Sequence, residues 1–98
     1  MVTIAGYNFD GPYKIGKIKI DRAAIYVILN VIYSVIDVGQ SGETGTRLLT
    51  HERKPCWDKH GGYSVAVKWM PTDKYSLEDR LKIEKDIRNK KNPPCGIK

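Results

Sequence analysis

Six residues have side chains that together could attack a phosphodiester: Tyr26, Asp37, Ser41, Arg47, His51 and Glu84. Arg47 offers a planar fork that matches phosphate oxygens. His51 follows it at i+4, so the two share a face of any helix that carries them, and an imidazole there can move a proton near neutral pH. Tyr26 can orient or deprotonate a water if a cation lowers its pKa, and Ser41 can meet a phosphate through its hydroxyl or backbone N–H. Glu84 is the most telling position. Leu77, Leu81, Ile83 and Ile87 form one apolar arc at helical spacing, and Glu84 falls near its middle. A carboxylate facing a core is costly unless it is paired or binds a cation. Glu84 therefore either pairs with Arg80 at i−4 or holds a hard divalent ion through oxygen.

The elements that must position these groups follow from patterning. Ala24–Leu29 is a continuous apolar run and reads as a strand buried on both faces; Tyr33–Gly39 reads as its partner. A tight antiparallel hairpin would set Tyr26 opposite Asp37. Thr44 is the expected N-cap of a helix over 45–53, with Pro55 ending it and 54–62 a loop. Residues 63–70 read as a third strand. Ser76 opens a capping box before the last helix, which Asn92-Pro93-Pro94 stops. Asp10-Gly11-Pro12 is a turn signal, and Ile15–Ile20 reads as an edge strand or an ordered segment packed on the core. The expected organisation is an N-terminal arm over 1–22 and a domain over 23–98, together one globular unit.

Composition bounds the partners. The chain has 98 residues, 17 Lys and Arg against 11 Asp and Glu, and a net charge of +6. That excess favours polyanions through salt-dependent phosphate contacts. Lys82, Lys85, Arg88, Lys90, Lys91 and Lys98 give the last third a basic surface. No run approaches the roughly 18 apolar residues that span a bilayer, so no membrane is expected. With no secretory pattern at the N-terminus, the expectation is a cytoplasmic protein with Cys56 and Cys95 reduced. His51, Cys56, His60 and Cys95 are of the types that bind zinc. No Cys-x-x-Cys pair accompanies them, so a structural Zn²⁺ is not expected. There is no Walker loop, dinucleotide fingerprint or Ser-His-Asp order.

Taken in sequence, Ala24-Ile25-Tyr26, Asp37-Val38-Gly39-Gln40-Ser41, Arg47-x-x-x-His51 and a helical Glu84 resemble the GIY-YIG nuclease domain, over residues 24–96. Phe9-Asp10-Gly11-Pro12-Tyr13, His51-Glu52-Arg53-Lys54-x-Cys56-Trp57 and Asn92-Pro93-Pro94-Cys95-Gly96 resemble a branch of small GIY-YIG proteins. The resemblance implies an α+β fold with a small three-stranded, mainly antiparallel sheet flanked by helices. It also implies metal-dependent hydrolysis of DNA phosphodiesters with Mg²⁺ or Mn²⁺. Glu84 would hold the metal, Arg47 the scissile phosphate, and Tyr26 and His51 the attacking water. Three positions depart from the pattern: Ala24 stands for glycine, Asp37 for the second tyrosine and Gly96 for asparagine. Asp37 is expected to accept the Tyr26 proton or to join Glu84 at the metal, the alternative being that it only bonds backbone or Arg47. The alternative is a catalytically impaired nucleic-acid-binding module. So small a chain would either show weak intrinsic sequence preference or leave target specificity to a protein partner.

Overall fold

A computed structural model describes residues 1–96; Lys98, assigned above to the basic surface, lies outside them. The architecture is α+β: one curled five-stranded antiparallel sheet, a half-barrel, with three helices. The strands are β1 (Val2–Ile4), β2 (Tyr7–Lys14), β3 (Ala24–Leu29), β4 (Val35–Ser41) and β5 (Ser64–Trp69), in the spatial order β1-β2-β5-β3-β4. The helices are α1 (Thr44–Leu49), α2 (Lys54–Lys59) and α3 (Leu77–Lys91). Among the described residues no helix is long and apolar enough to cross a membrane.

β3 is central and buried along its whole length. Its alternation divides the core as the pattern predicts. Ala24, Tyr26 and Ile28 face a cluster with Leu48 and Trp57, under α1 and α2. Ile25, Val27 and Leu29 face a second cluster with Phe9, Met70 and Ile87, under α3.

The N-terminal region differs from the expected arm. Residues 2–14 form two strands, and β2 pairs with β5. Asp10-Gly11-Pro12 is no turn between elements. It is an irregularity inside β2, where the register shifts between Asp10 and Tyr13 and Gly11 has φ 104°. A bulge tolerates a proline that a regular ladder would not. The sheet therefore has five strands, of which the expected three are β5, β3 and β4. Residues 15–20 form no strand; Ile18 is buried, and Gly45 of α1 donates its N–H to the Ile20 carbonyl. Asp21 accepts both the backbone N–H (2.7 Å) and the hydroxyl (2.8 Å) of Thr46. This segment clamps the start of α1.

The helical region also divides differently. α1 is shorter than expected, with Glu43 at its N-cap, and Pro55 starts α2 where a loop was expected. Proline suits the first turn of a helix, where its missing N–H has no intrahelical partner to lose. On α3 the capping box is present, Ser76 Oγ accepting from the Asp79 N–H and Asp79 from the Ser76 N–H. Ile87 and Arg80 are buried, while Leu77 and Leu81 are exposed. α3 packs beside β4, the edge strand, which lets its side chains reach around that edge.

Cys56 on α2 and Cys95 after α3 are bonded to each other, not reduced as expected. Cys95 N–H donates to the Ile36 carbonyl (3.0 Å), which sets the tail against β4, and the disulfide ties it to α2. The bridge spans 39 residues of sequence. On the chain-entropy account, closing such a loop contributes about 4 kcal/mol.

Candidate active site

The hairpin register decides what meets Tyr26. The β3–β4 connection is longer than a two-residue turn. Asn30 Oδ1 accepts the N–H groups of Ile32 (3.1 Å) and Ser34 (2.9 Å), and Tyr33 takes a left-handed φ of 64°. Tyr26 consequently pairs with Gly39, and Asp37 lies opposite Ile28. The expected Tyr26–Asp37 opposition is thus displaced by one same-face position. The phenol lies across Gly39, where any Cβ would collide with its hydroxyl and ring. Glycine at 39 is what lets the tyrosine lie along the sheet toward His51.

Tyr26 Oη and His51 Nε2 are 2.6 Å apart, and both side chains are buried. His51 lies just past α1, so the helix face it was expected to share with Arg47 does not form; it meets the tyrosine from the turn beyond the helix. The tautomer follows from the other nitrogen. Nδ1 accepts the Arg53 backbone N–H (3.1 Å), so the neutral ring carries its proton on Nε2 and donates to Tyr26. Burial, then the charges of Arg53 and Arg47, push the imidazole down to about 4. Burial also pushes the Tyr26 phenol up to about 12, against the opposing pull of Arg47 and Arg53. At neutral pH the pair is a phenol and a neutral imidazole. The cation-lowered phenol expected above does not arise.

This arrangement sets a pH dependence. The unfolded histidine titrates near 6.5 and the folded one near 4. Between these values the unfolded chain binds more protons, so stability is complete above pH 6.5 and falls as pH drops toward 4. The loss is on the order of 3 kcal/mol. In urea unfolding, His51→Gln should show a smaller fall in midpoint between pH 7 and pH 4 than the wild type. Equal falls would contradict the assignment.

Arg47 carries a bidentate pair with Glu52, at 2.5 and 2.8 Å. Hydrogen bonding to Arg47 holds the Glu52 carboxyl down at about 2. Glu52 is well exposed, with a side-chain exposure of 62%. A substrate phosphate can therefore displace it without leaving it desolvated. Ser41 Oγ accepts the Glu43 N–H (2.9 Å) at the mouth of α1.

Asp37 is fully buried and its acceptor positions are filled. Oδ1 takes the Val38 N–H (2.8 Å) and Arg88 Nη2 (2.9 Å); Oδ2 takes Arg53 Nε (2.7 Å) and Trp57 Nε1 (2.7 Å). Four donors saturate a carboxylate. The structure thus leaves Asp37 no lone pair for the metal, or for the Tyr26 proton, that the sequence reading gave it. It ties β4, α2 and α3 together beneath the site.

Glu84 lies on α3 beside Arg88, whose guanidinium reaches Asp37 at the β4 edge. Its i, i+4 partner is Arg88, at 3.7 Å, in place of the expected Arg80; Arg80 instead donates to Gln40 Oε1 (2.9 Å). A separation of 3.7 Å is an ion-pair contact and too long for a hydrogen bond. Burial raises the Glu84 carboxyl above its usual range, with Arg88 and Arg53 pulling the other way. The group borders a groove of about 350 Å³ lined by Arg53, Leu81, Glu84, Lys85 and Arg88. Its charge also acts on Tyr26, together with those of Arg47, Arg53 and Asp37. Among the described residues Glu84 is the carboxylate lining that groove and the group that could hold Mg²⁺ or Mn²⁺, while Arg53, Lys85 and Arg88 around it oppose a cation. Such ions keep several waters and need only one or two protein carboxylates.

Sequence reading missed Arg53, Trp57 and Arg88 as partners of Asp37, and Glu52 as the partner of Arg47. The Gly96 departure has a steric reason: Gly96 has φ 108°, and a Cβ there would run into the Arg88 guanidinium. Comparison with protein-family models, with curated proteins and with solved structures found no match.

Proposed function

We propose that this chain is a metal-dependent endonuclease of GIY-YIG type that hydrolyses phosphodiester bonds in DNA. The observation that carries the reading is the buried Tyr26–His51 pair at 2.6 Å, with the charges of Arg47 and Glu84 both acting on the same phenol. The net charge of +6 adds the general attraction for a polyanion.

In this reading Arg47 binds the scissile phosphate as Glu52 swings out, and neutralises charge that builds on its oxygens. Tyr26 orients the attacking water. His51 acts through Tyr26, its Nε2–H fixing the phenol oxygen that accepts a hydrogen bond from that water. Water adds to phosphorus, one P–O ester bond breaks, and the proton the water gives up passes through solvent to the departing alkoxide. Glu84 would hold the divalent ion, which would supply Lewis-acid stabilisation of charge on the phosphate. Asp37 positions the helices and takes no part in the chemistry.

Two observations favour a non-cleaving DNA-binding module instead: Arg47 is already held by Glu52, and Asp37 stands where the second tyrosine would be. The two readings separate on a fluorescent DNA duplex with Mn²⁺. Cleavage predicts that Arg47→Ala lowers the rate by about 10²-fold or more, while Glu52→Gln frees the guanidinium and raises duplex affinity several-fold. Duplex binding with no product in any variant would establish the binding module.

A further inference from the structure

Cys56 Sγ, Cys95 Sγ and a ring nitrogen of His60 lie within 4.8 Å of one another. Cys56 and His60 stand four residues apart, on α2 and at its C-cap, and so project to one side. Cys95 arrives from the segment after α3. We propose that, once the disulfide is reduced, these three side chains form a Zn²⁺ site with two thiolates, one imidazole and a solvent ligand. This inference goes beyond the nuclease reading and does not depend on it.

The donor set argues for the metal. Two thiolates and an imidazole are ligands of zinc, with bond lengths of about 2.3 Å to sulfur and about 2.0 Å to nitrogen. Ligand atoms in a tetrahedral zinc site are under about 4 Å apart, so groups already within 4.8 Å need only side-chain adjustment. His51, the fourth residue of zinc-binding type in this region, is committed to Tyr26 and Arg53. That leaves the fourth position to water.

The backbone frame does not depend on the sulfur–sulfur bond. Cys95 N–H is held by the Ile36 carbonyl, and its own carbonyl accepts from Arg88 Nη1 (3.2 Å). α2 is anchored through Trp57 to Asp37. The ligands therefore stay together when the bond is broken. Half-exposed Cys56 and exposed His60 give an ion a way in.

The two states exclude each other, because sulfurs bonded to one another offer no thiolate. An external dithiol delivers two electrons and two protons to the bridge and is itself oxidised to a disulfide. Zinc binding then expels the two thiol protons. The element that clamps the tail to α2 would thus be a covalent bridge when oxidised and a metal when reduced.

The test is anaerobic titration of reduced full-length protein with Co²⁺, a spectroscopic stand-in, followed by displacement with Zn²⁺. One equivalent per monomer, with thiolate charge-transfer and tetrahedral visible bands, is expected; the oxidised protein should show neither. Changes outside the ligand set alone cost 10–100-fold in metal affinity, so His60→Ala should weaken binding on the order of a hundredfold. Because His60 is exposed, that variant keeps the fold and the disulfide, and circular dichroism checks this alongside a Cys56→Ser variant, which should bind no metal. No uptake by reduced protein, unchanged affinity in His60→Ala, or half an equivalent in a metal-linked dimer would overturn the site.

Discussion

Asp37→Ala is expected to destabilise the protein by about 3–5 kcal/mol, measured as a fall in the urea midpoint. The carboxylate is fully buried and accepts from Arg53, Trp57, Arg88 and the Val38 N–H. Removing it leaves two partly buried guanidinium groups and an indole N–H without their acceptor. The cost is therefore that of uncompensated charge and not merely of lost contacts. Against a typical total of about 5–15 kcal/mol, the variant is close to unfolding at ambient temperature. Asp37→Asn is the milder probe. It keeps one acceptor oxygen but directs an NH₂ at donors, so it too should destabilise, while its metal affinity should match the wild type. A stable Asp37→Asn protein with weakened Mg²⁺ binding would instead restore the metal-ligand role that the saturated carboxylate argues against.

Glu84→Gln should have the opposite profile: little loss of stability and a large loss of activity. Among the described residues the glutamate's ion-pair partner is Arg88 at 3.7 Å, and its burial already disfavours the charged form. A neutral amide of the same size relieves that strain on the fold. It also removes the anionic oxygen that would hold the ion, so Mg²⁺-dependent cleavage should fall by on the order of 10³-fold. DNA binding should persist, since Arg47, Lys85 and Arg88 remain. Cleavage within a few-fold of wild type would show that Glu84 is only a structural partner of Arg88.

The alternation in Ala24–Leu29 correctly divides the two faces, whereas the Arg47-x-x-x-His51 spacing implies a shared helix face that the end of α1 at Leu49 removes. The hairpin register could not be read locally. Nothing in Asn30–Ser34 announces a turn closed by an asparagine side chain with a tyrosine at positive φ. A tighter turn was therefore assumed, and Asp37 was placed opposite the phenol. β1 and β2 were hidden because Gly11-Pro12 is a turn signal unless a distant partner strand, here β5, accommodates the irregularity. Pro55 is ambiguous for a related reason: it can end a helix or begin one, and the packing of Trp57 decides. The Asp37 network draws on residues 37, 53, 57 and 88, from separate elements, so no local spacing reveals it.

The most direct measurement is the conversion of supercoiled plasmid to open circles by purified wild-type protein with Mg²⁺, beside Glu84→Gln prepared identically. The account predicts nicking that a chelator stops, that added Mg²⁺ restores and that the variant lacks while still shifting the plasmid on a gel. Equal nicking by both proteins, or DNA binding by the wild type without any nicking in Mg²⁺ or Mn²⁺, would contradict it.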